Sequence, residues 1–329
     1  MKTTVVIPNY NGIKYLENCI ESLVLAKEQG EFAILVIDNG STDGSLEKAK
    51  EYEANGLLTV VAFPKNTGFC GAVNEGIRRA QTEYVLLLNN DTEVTKDFVK
   101  NLEIFMDEHA DAFSASSKML SLQEPEVIDD CGDLYCALGW AFGLGKGKNI
   151  RAKAAKKYEK NGKIFAACGG ASIYRKAVLD EIGVFDENHF AYLEDIDIGY
   201  RALIYGYHNY YCHSAVVYHA GSGFSGSRYN KFKIDLSAKN SIYLIYKNMP
   251  LLQVLLNLPF LLIGFLVKTM FFLLKGFGGT YLKGLMNGLK LSFSKEGKTC
   301  KVAFKGRNLV NYIMIQWYLW WNLLRRFIG

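Results

Sequence analysis

The stretch Ala33–Ser45, AILVIDNGSTDGS, decides how the chain is read: an apolar run goes straight into Asp38, and a polar, glycine-containing turn follows. A short run of this kind, stopped by an acidic residue and a Gly/Ser/Thr turn, has the pattern of a buried strand that feeds a loop and then a helix. The same pattern stands on both sides of it. Upstream, Thr4–Ile7 ends at Pro8-Asn9-Tyr10-Asn11-Gly12. Downstream, Leu58–Phe63 leads to Asn66-Thr67-Gly68-Phe69-Cys70-Gly71, and Tyr84–Leu88 leads to Asn89-Asn90-Asp91. Between these runs, Ile13–Ala26, Ser45–Asn55, Gly71–Thr82 and Lys96–His109 read as covering helices, with Leu16, Ile20 and Leu23 on one stripe and Asp43 or Ser45 as a cap for the second. The alternation predicts an α/β fold: a Rossmann-like, mostly parallel sheet flanked by helices, with functional groups gathered beyond the carboxyl ends of its strands.

Composition sets the outer limits. The chain has 329 residues, 50% apolar and 22% charged, which excludes a disordered or low-complexity protein and suits one large catalytic domain with an appendage. The N-terminus MKTTVVIPNY lacks an apolar run long enough for a secretory signal, and the 7 cysteines form no CxxC pair, so a reducing cytosol is expected. The net charge of +5 divides unevenly at Ser227: residues 1–227 hold 22 Lys/Arg against 31 Asp/Glu, and residues 228–329 hold 16 against 2. Long Leu/Phe runs make the basic part a poor groove for tracking phosphates, so an anionic membrane surface is expected as partner and nucleic acid is not.

The polar strand ends stand in an order that resembles the nucleotide-sugar half of family-2 glycosyltransferases with the GT-A fold. The residues that carry the resemblance are VIPNYNG, VIDNGSTDGS, NTGFCGAVNEGI and LLLNNDT, followed by ACGGASIYRKAVLDEIGVFDE and FAYLEDIDIGYR, and together they cover roughly residues 3–225. The blocks look most like the bacterial rhamnosyltransferase branch. The resemblance implies an inverting hexosyltransferase that takes its sugar from a nucleotide donor, dTDP-rhamnose or a UDP-hexose, and passes it to a glycan or lipid-linked glycan in cell-surface polysaccharide synthesis.

On this resemblance Asp38 hydrogen-bonds the nucleoside, and Pro8, Asn9 and Tyr10 form the neighbouring wall. Gly68 and Gly71, at the entry to a helix, would let backbone N–H groups approach the nucleotide, and Asn74 on the same helix would touch the ribose. Asn89-Asn90-Asp91 takes the place of the DxD motif but lacks its first Asp. Asp91 is then left to meet a divalent cation, Mn²⁺ or Mg²⁺, with Asn90 beside the donor and His219 as a further metal contact. Glu194-Asp195-Ile196-Asp197 matches the family's ED motif, which makes Asp195 the catalytic base. Glu194 would orient acceptor or base, and Asp197 with Arg201 would form a supporting ion pair. Gly169, Gly170 and Asp186 would line the acceptor side, and Cys168 is read as packing and not as a nucleophile. Gly221–Gly226 spells GxGxxG, but it lies at the end of the α/β region and not in its first turn. It is read instead as a loop closing over the donor, with Arg228 available to a phosphate. The run 146–163, with 8 Lys/Arg and a single Glu, is expected to be a solvated, mobile loop.

The second region, 228–329, is expected to be helical and membrane-associating. Leu251–Leu274, as a 24-residue helix, would reach about 36 Å against a bilayer core of about 30 Å, but Gln253, Asn257, Pro259 and Lys268 interrupt it. A kinked, shallowly inserted or re-entrant helix at the cytoplasmic face is expected, with a single span as the alternative. Trp317, Trp320 and Trp321 beside Arg325-Arg326 suit an interface. Two other functions remain open at this point: a polyprenyl-phosphate sugar synthase, and an inactive membrane scaffold suggested by the incomplete DxD.

Overall fold

The computed structural model describes residues 1–221 and 229–328. The N-terminal elements alternate as expected: β1 (Thr3–Asn9), α1 (Ile13–Ala26), β2 (Ala33–Asp38), α2 (Ser45–Ala54), β3 (Thr59–Ala62), α3 (Gly68–Arg79) and β4 (Tyr84–Leu88). β1 pairs in parallel with β2 on one side and β4 on the other, and β3 extends the sheet beyond β2. Successive strand residues point to opposite faces. Val5, Ile7, Val36 and Leu86 therefore pack with Leu16 and Ile20 of α1, while Val6, Ile37 and Leu87 pack with Val73 and Ile77 of α3. Asp43 reaches past its own helix: Oδ1 accepts from the N–H of Ser45 at 3.0 Å, and Oδ2 accepts from the N–H of Ile13 at the start of α1, at 2.9 Å.

The chain continues through β5 (Thr92–Val94), α4 (Phe98–Glu108), β6 (Ala112–Ser121), β7 (Ile128–Asp130), β8 (Asp133–Cys136), β9 (Trp140–Gly143), β10 (Gly162–Ile164), β11 (Ala171–Arg175), α5 (Lys176–Ile182), α6 (Glu194–Tyr205) and β12 (His208–His219). The main sheet runs β10-β12-β6-β11-β4-β1-β2-β3. It is parallel in its N-terminal half and mixed beyond, because β11 lies antiparallel between β4 and β6. The basic run 146–163 is not the loose loop expected: Ala155 and Tyr158 are buried, and the Tyr158 carbonyl accepts from the Tyr211 hydroxyl at 2.8 Å.

Among the described residues after 228, five α-helices complete the fold: α7 (Lys231–Asn248), α8 (Leu251–Leu274), α9 (Gly278–Phe293), α10 (Lys295–Thr299) and α11 (Leu309–Ile328). α8 is, among the described residues, the helix long and apolar enough to cross a membrane. Its one buried stripe, Gln253, Asn257, Leu261 and Gly264, is applied to protein. Gln253 accepts from the Tyr200 hydroxyl at 2.6 Å, Asn257 and Gln316 exchange two amide hydrogen bonds, and the Gly264 carbonyl accepts from the Trp140 indole at 3.1 Å. A β-carbon at Gly264 would collide with the Leu138 carbonyl. The other faces of α8 expose Leu252, Leu255, Leu262, Ile263, Leu266 and Met270, and α11 exposes Val310, Ile313, Trp317, Trp321 and Phe327.

Candidate active site

The strand ends meet through one buried side chain. Asn9, which closes β1, donates from Nδ2 to Asp38 Oδ1 at 2.8 Å and to Ser45 Oγ at 2.9 Å, and its Oδ1 accepts from Asn90 Nδ2 at 2.7 Å. Asp38 Oδ2 in turn accepts from the Ser41 N–H at 3.0 Å. Asp38 is thus fully buried with both oxygens oriented by the protein, and Pro8 and Tyr10 are half-buried beside it.

Asp91 lies at the next strand end, and β12 returns across the sheet to bring His219 to it. His219 Nε2 is 3.3 Å from Asp91 Oδ1, and Nδ1 is 2.7 Å from Asp129 Oδ2. Burial alone would lower the imidazole pKa, but hydrogen bonds and charge from Asp129 and Asp91 outweigh it and raise the group to about 9. Once a cation displaces the Nε2 proton, one carboxylate oxygen and that imidazole nitrogen, with Nδ1 oriented by a further carboxylate, form a donor set that fits a hard divalent cation such as Mn²⁺ or Mg²⁺.

Asp195 sits in the first turn of α6, half-buried, and accepts from the N–H of Ile196 at 2.7 Å and from the N–H of Gly169. It is also hydrogen-bonded to Asp133 at the start of β8. Burial raises both carboxyls, and Asp130 and Asp195 push Asp133 up further, whereas the hydrogen bond between the pair raises Asp133 and lowers Asp195, so Asp133 is its donor. Asp130, beside this pair, is lifted by burial to about 7. Glu194 is buried, its Oε2 has no partner, and burial with the adjacent Asp195 lifts it to about 8, so it stands as a neutral acid at neutral pH. Gly170 closes the circuit, its carbonyl accepting from the Asn89 N–H at 2.8 Å. Contacts therefore run from Asp38 through Asn9 and Asn90 to Asp91, on through His219 and Asp129, and from Asp133 to Asp195, Gly169, Gly170 and back to Asn89.

Three expectations change, and a fourth falls outside the described residues. Asn74 is buried in α3 with its amide spent, donating to the Phe185 carbonyl at 2.8 Å and to Glu187 at 3.1 Å while accepting from the Phe185 N–H, so it is not a ribose contact. The space beside Gly68 is filled by Phe190 and that beside Gly71 by Thr67, so these glycines serve packing and not the approach of a nucleotide. Asp186 does not line the space at Asp195: its oxygens are taken by Asn188, Tyr243 and Lys247. Arg228 and the loop reading of 222–228 lie outside the described residues. Asp197 and Arg201 pair as expected, at 3.1 Å, with Lys247 joining Asp197 at 2.8 Å. A cavity of about 570 Å³ lined by Asn74, Asp186, Arg201, Lys247 and Lys305 includes none of Asp38, Asp91, Asp195 or His219.

Sequence reasoning missed Asp129, Asp130 and Asp133. Three carboxylates within five positions, around Gly132 and after an apolar residue, are the signal that singled out residues 194–197 and was equally present here.

The model of glycosyl transferase family 2 matches residues 4–183. The chain belongs to that family. Among its relatives, the glycosyltransferase TuaG of Bacillus subtilis is 32% identical over 127 residues, 38% of this chain and 50% of TuaG. The poly(ribitol-phosphate) beta-N-acetylglucosaminyltransferase TarS of Staphylococcus aureus is 34% identical over 113 residues, 33% of this chain and 19% of TarS. The chain thus spans half or less of the length of these two relatives. The structure of S. aureus TarS 1–349 with UDP-GlcNAc superposes with a TM-score of 0.57 at 20% identity, over 92% of this chain and 84% of that one. GalNAc-T7 with UDP, GalNAc and Mn²⁺ gives 0.59 at 18% identity, over 75% and 48%. These likenesses show the fold, GT-A.

Proposed function

We propose that the chain is an inverting glycosyltransferase that moves a hexose from a nucleotide sugar to a glycan or lipid-linked glycan of a cell-surface polymer, at the cytoplasmic face of the membrane. The observation that carries the reading is the grouping of buried polar contacts beyond the strand ends, Asp38 with Asn9 and Asn90, Asp91 with His219 and Asp129, and Asp195 with Asp133 and Gly169, since these supply a nucleoside-side carboxylate, a cation site and a base.

In the reaction the acceptor hydroxyl oxygen attacks the anomeric carbon, the carbon–oxygen bond to the diphosphate breaks with its electron pair leaving on the diphosphate, and the hydroxyl proton passes to Asp195. Asp133 and the N–H groups of Ile196 and Gly169 favour the anionic form of Asp195 against the burial that raises it. Asp38, fully buried and held by Asn9 and Ser41, fixes the end of β2 on which the nucleoside would rest. Asp91 and His219 would hold Mn²⁺ or Mg²⁺, which when bound supplies positive charge to the departing diphosphate.

Relatives named for teichuronic acid and poly(ribitol-phosphate) support a cell-surface acceptor, and neighbours solved with UDP and UDP-GlcNAc favour a UDP-hexose over dTDP-rhamnose as donor. The apolar faces of α8 and α11, together with the basic excess after residue 227, support membrane association with α8 lying in the plane of the interface. The test is a binding screen of UDP-GlcNAc, other UDP-hexoses and dTDP-rhamnose, with and without Mn²⁺, on the detergent-solubilised protein. Metal-dependent affinity for one donor is expected. Absence of binding across the panel, with the protein folded and bound to liposomes, would overturn the enzyme reading in favour of a scaffold.

A further inference from the structure

Asp195 enters the cleft from an unusual piece of backbone. Phe190, Tyr192 and Leu193 have φ values of 65°, 71° and 64°, in the left-handed region, and none is glycine. A β-carbon makes that region costly, so three such residues within four positions persist only where the surroundings dictate them. Glu194 and Asp195 follow at once as the first residues of α6.

The surroundings that dictate this turn come from α7, the first helix of the basic region. The amide nitrogen of Asn240, fully buried, lies 3.0 Å from the His189 carbonyl, 2.9 Å from that of Ala191 and 2.7 Å from that of Tyr192. Lys239 donates to the Asn188 carbonyl at 2.8 Å, and Phe232 packs edge-on to Phe190. One and two turns on, Tyr243, Lys247 and Asn248 bind Asp186 and Asp197, on either side of the same segment. Positions 240, 243, 247 and 248 share one helical face, so α7 presents a buried polar stripe that follows the segment 186–197 from end to end. Asn240 Oδ1 has no partner, so the carbonyls of the turn fix which way the amide faces.

We propose that Asn240 is a positioning residue for glycosyl transfer: from α7 its amide holds the left-handed Phe190–Leu193 turn and, through that turn, fixes where Asp195 stands. This rests on the reading of Asp195 as base. Arg201, Lys247 and Asn248 secure α6 at Asp197 independently, so loss of the Asn240 amide releases the turn without unravelling the helix behind it.

The test uses the full-length, detergent-solubilised protein carrying Asn240→Asp, which keeps the shape but turns an anion toward three carbonyls, or Lys239→Ala, a milder variant that removes only the Asn188 contact. Hydrogen exchange followed by mass spectrometry is expected to show lost protection confined to residues 188–196 and to the Gly169 amide, which with the Ile196 amide binds Asp195, with Ile198–Tyr205 unchanged. Turnover of a UDP-GlcNAc, UDP-glucose and dTDP-rhamnose mixture with acceptor-bearing membranes is expected to fall about 10- to 100-fold in kcat for Asn240→Asp, with donor KM within about twofold, the scale of a small misplacement of a reacting group. Lys239→Ala follows in the same direction with a smaller loss. Wild-type exchange at 188–196 would overturn the proposal, and so would loss of protection spreading through α6 and α7, which would mark Asn240 as part of the general framework. Asp195→Asn is run in parallel. If it transfers at the wild-type rate, the base reading fails, while the exchange result still reports on the turn by itself.

Discussion

Replacing Lys247 with Met removes a buried cation that two buried carboxylates share. Lys247 Nζ lies 2.7 Å from Asp186 Oδ2 and 2.8 Å from Asp197 Oδ2, and all three residues are buried. Removing one partner of a buried ion pair costs about 3–5 kcal/mol, because the remaining charge keeps its desolvation without its compensation. Asp197 retains Arg201 and Asn248, and Asp186 retains Tyr243 and Asn188, so the loss is expected within that range and not beyond it. At about 1.4 °C per kcal/mol for 329 residues, the melting temperature should fall by roughly 4–7 °C at pH 7. The pH dependence has a definite sign. Burial pushes Asp197 and Asp186 up, but Lys247, with Arg201 for Asp197, more than reverses this and holds both below the ordinary carboxylate range. A depressed carboxyl stabilises the fold above its unfolded pKa and loses that contribution as pH falls through its folded value. In Lys247→Met the depression is lost and the carboxyls take up protons more readily, so the gap between variant and wild type should narrow as pH falls from 7 toward 4. Adding Asp186→Asn to the variant should recover part of the loss. Thermal unfolding at pH 7, 5 and 4 decides the matter: a fall below 2 °C at pH 7, or a gap that does not change with pH, would refute the reasoning.

Asp133→Ala removes the proton donor to Asp195, so the acid limb of the kcat/KM profile should move to higher pH, whereas Asp133→Asn, which keeps a neutral donor, should leave the limb near its wild-type position. Asp129→Asn weakens the carboxylate that orients His219, and metal titration should show about 10- to 100-fold weaker Mn²⁺ binding in the presence of UDP, with the melting temperature little changed. Gly288→Leu drives a side chain into α7 at the Lys239 carbonyl and Ile242, so α9 should detach and become protease-sensitive while near-UV signals of the sheet domain persist. Trp317→Ala with Trp321→Ala removes two exposed indoles from α11, and vesicle flotation should show weaker binding to anionic liposomes without loss of fold.

The strand ends were legible because a parallel sheet writes each strand as a closed apolar run and each functional turn as the polar residues after it. Asp38, Asp91 and Asp195 follow from that grammar together with the block order. Their partners do not. Asn9 with Asn90, Asp129 with His219 and Asp133 with Asp195 are pairs separated by sixty to ninety residues, and one sequence carries no mark of which distant residues meet. Asn74 misled because a polar residue on a helix near the cleft looks like a ligand, and only the position of the 185–187 segment shows that its amide is spent. The role of α7 was hidden by the change in charge at residue 228. Composition separates it from the acidic part of the chain, while its polar stripe at 240, 243, 247 and 248 ties it to that part.

The stripe that seats α8 against Tyr200, Leu138 and Trp140 has a kinetic consequence. On the proposed membrane association, a helix of 24 residues seated through Gln253–Gly264 on the sheet domain, with its apolar side turned outward, would confine the enzyme to the lipid surface with Asp195 at a constant height. An acceptor carried on a lipid is then met by lateral diffusion, in two dimensions. Its effective concentration is the number of acceptors per unit of bilayer area and not per volume of suspension. Diluting loaded vesicles with buffer should leave turnover per enzyme unchanged, whereas diluting the acceptor with inert lipid inside the same vesicles should slow it in proportion.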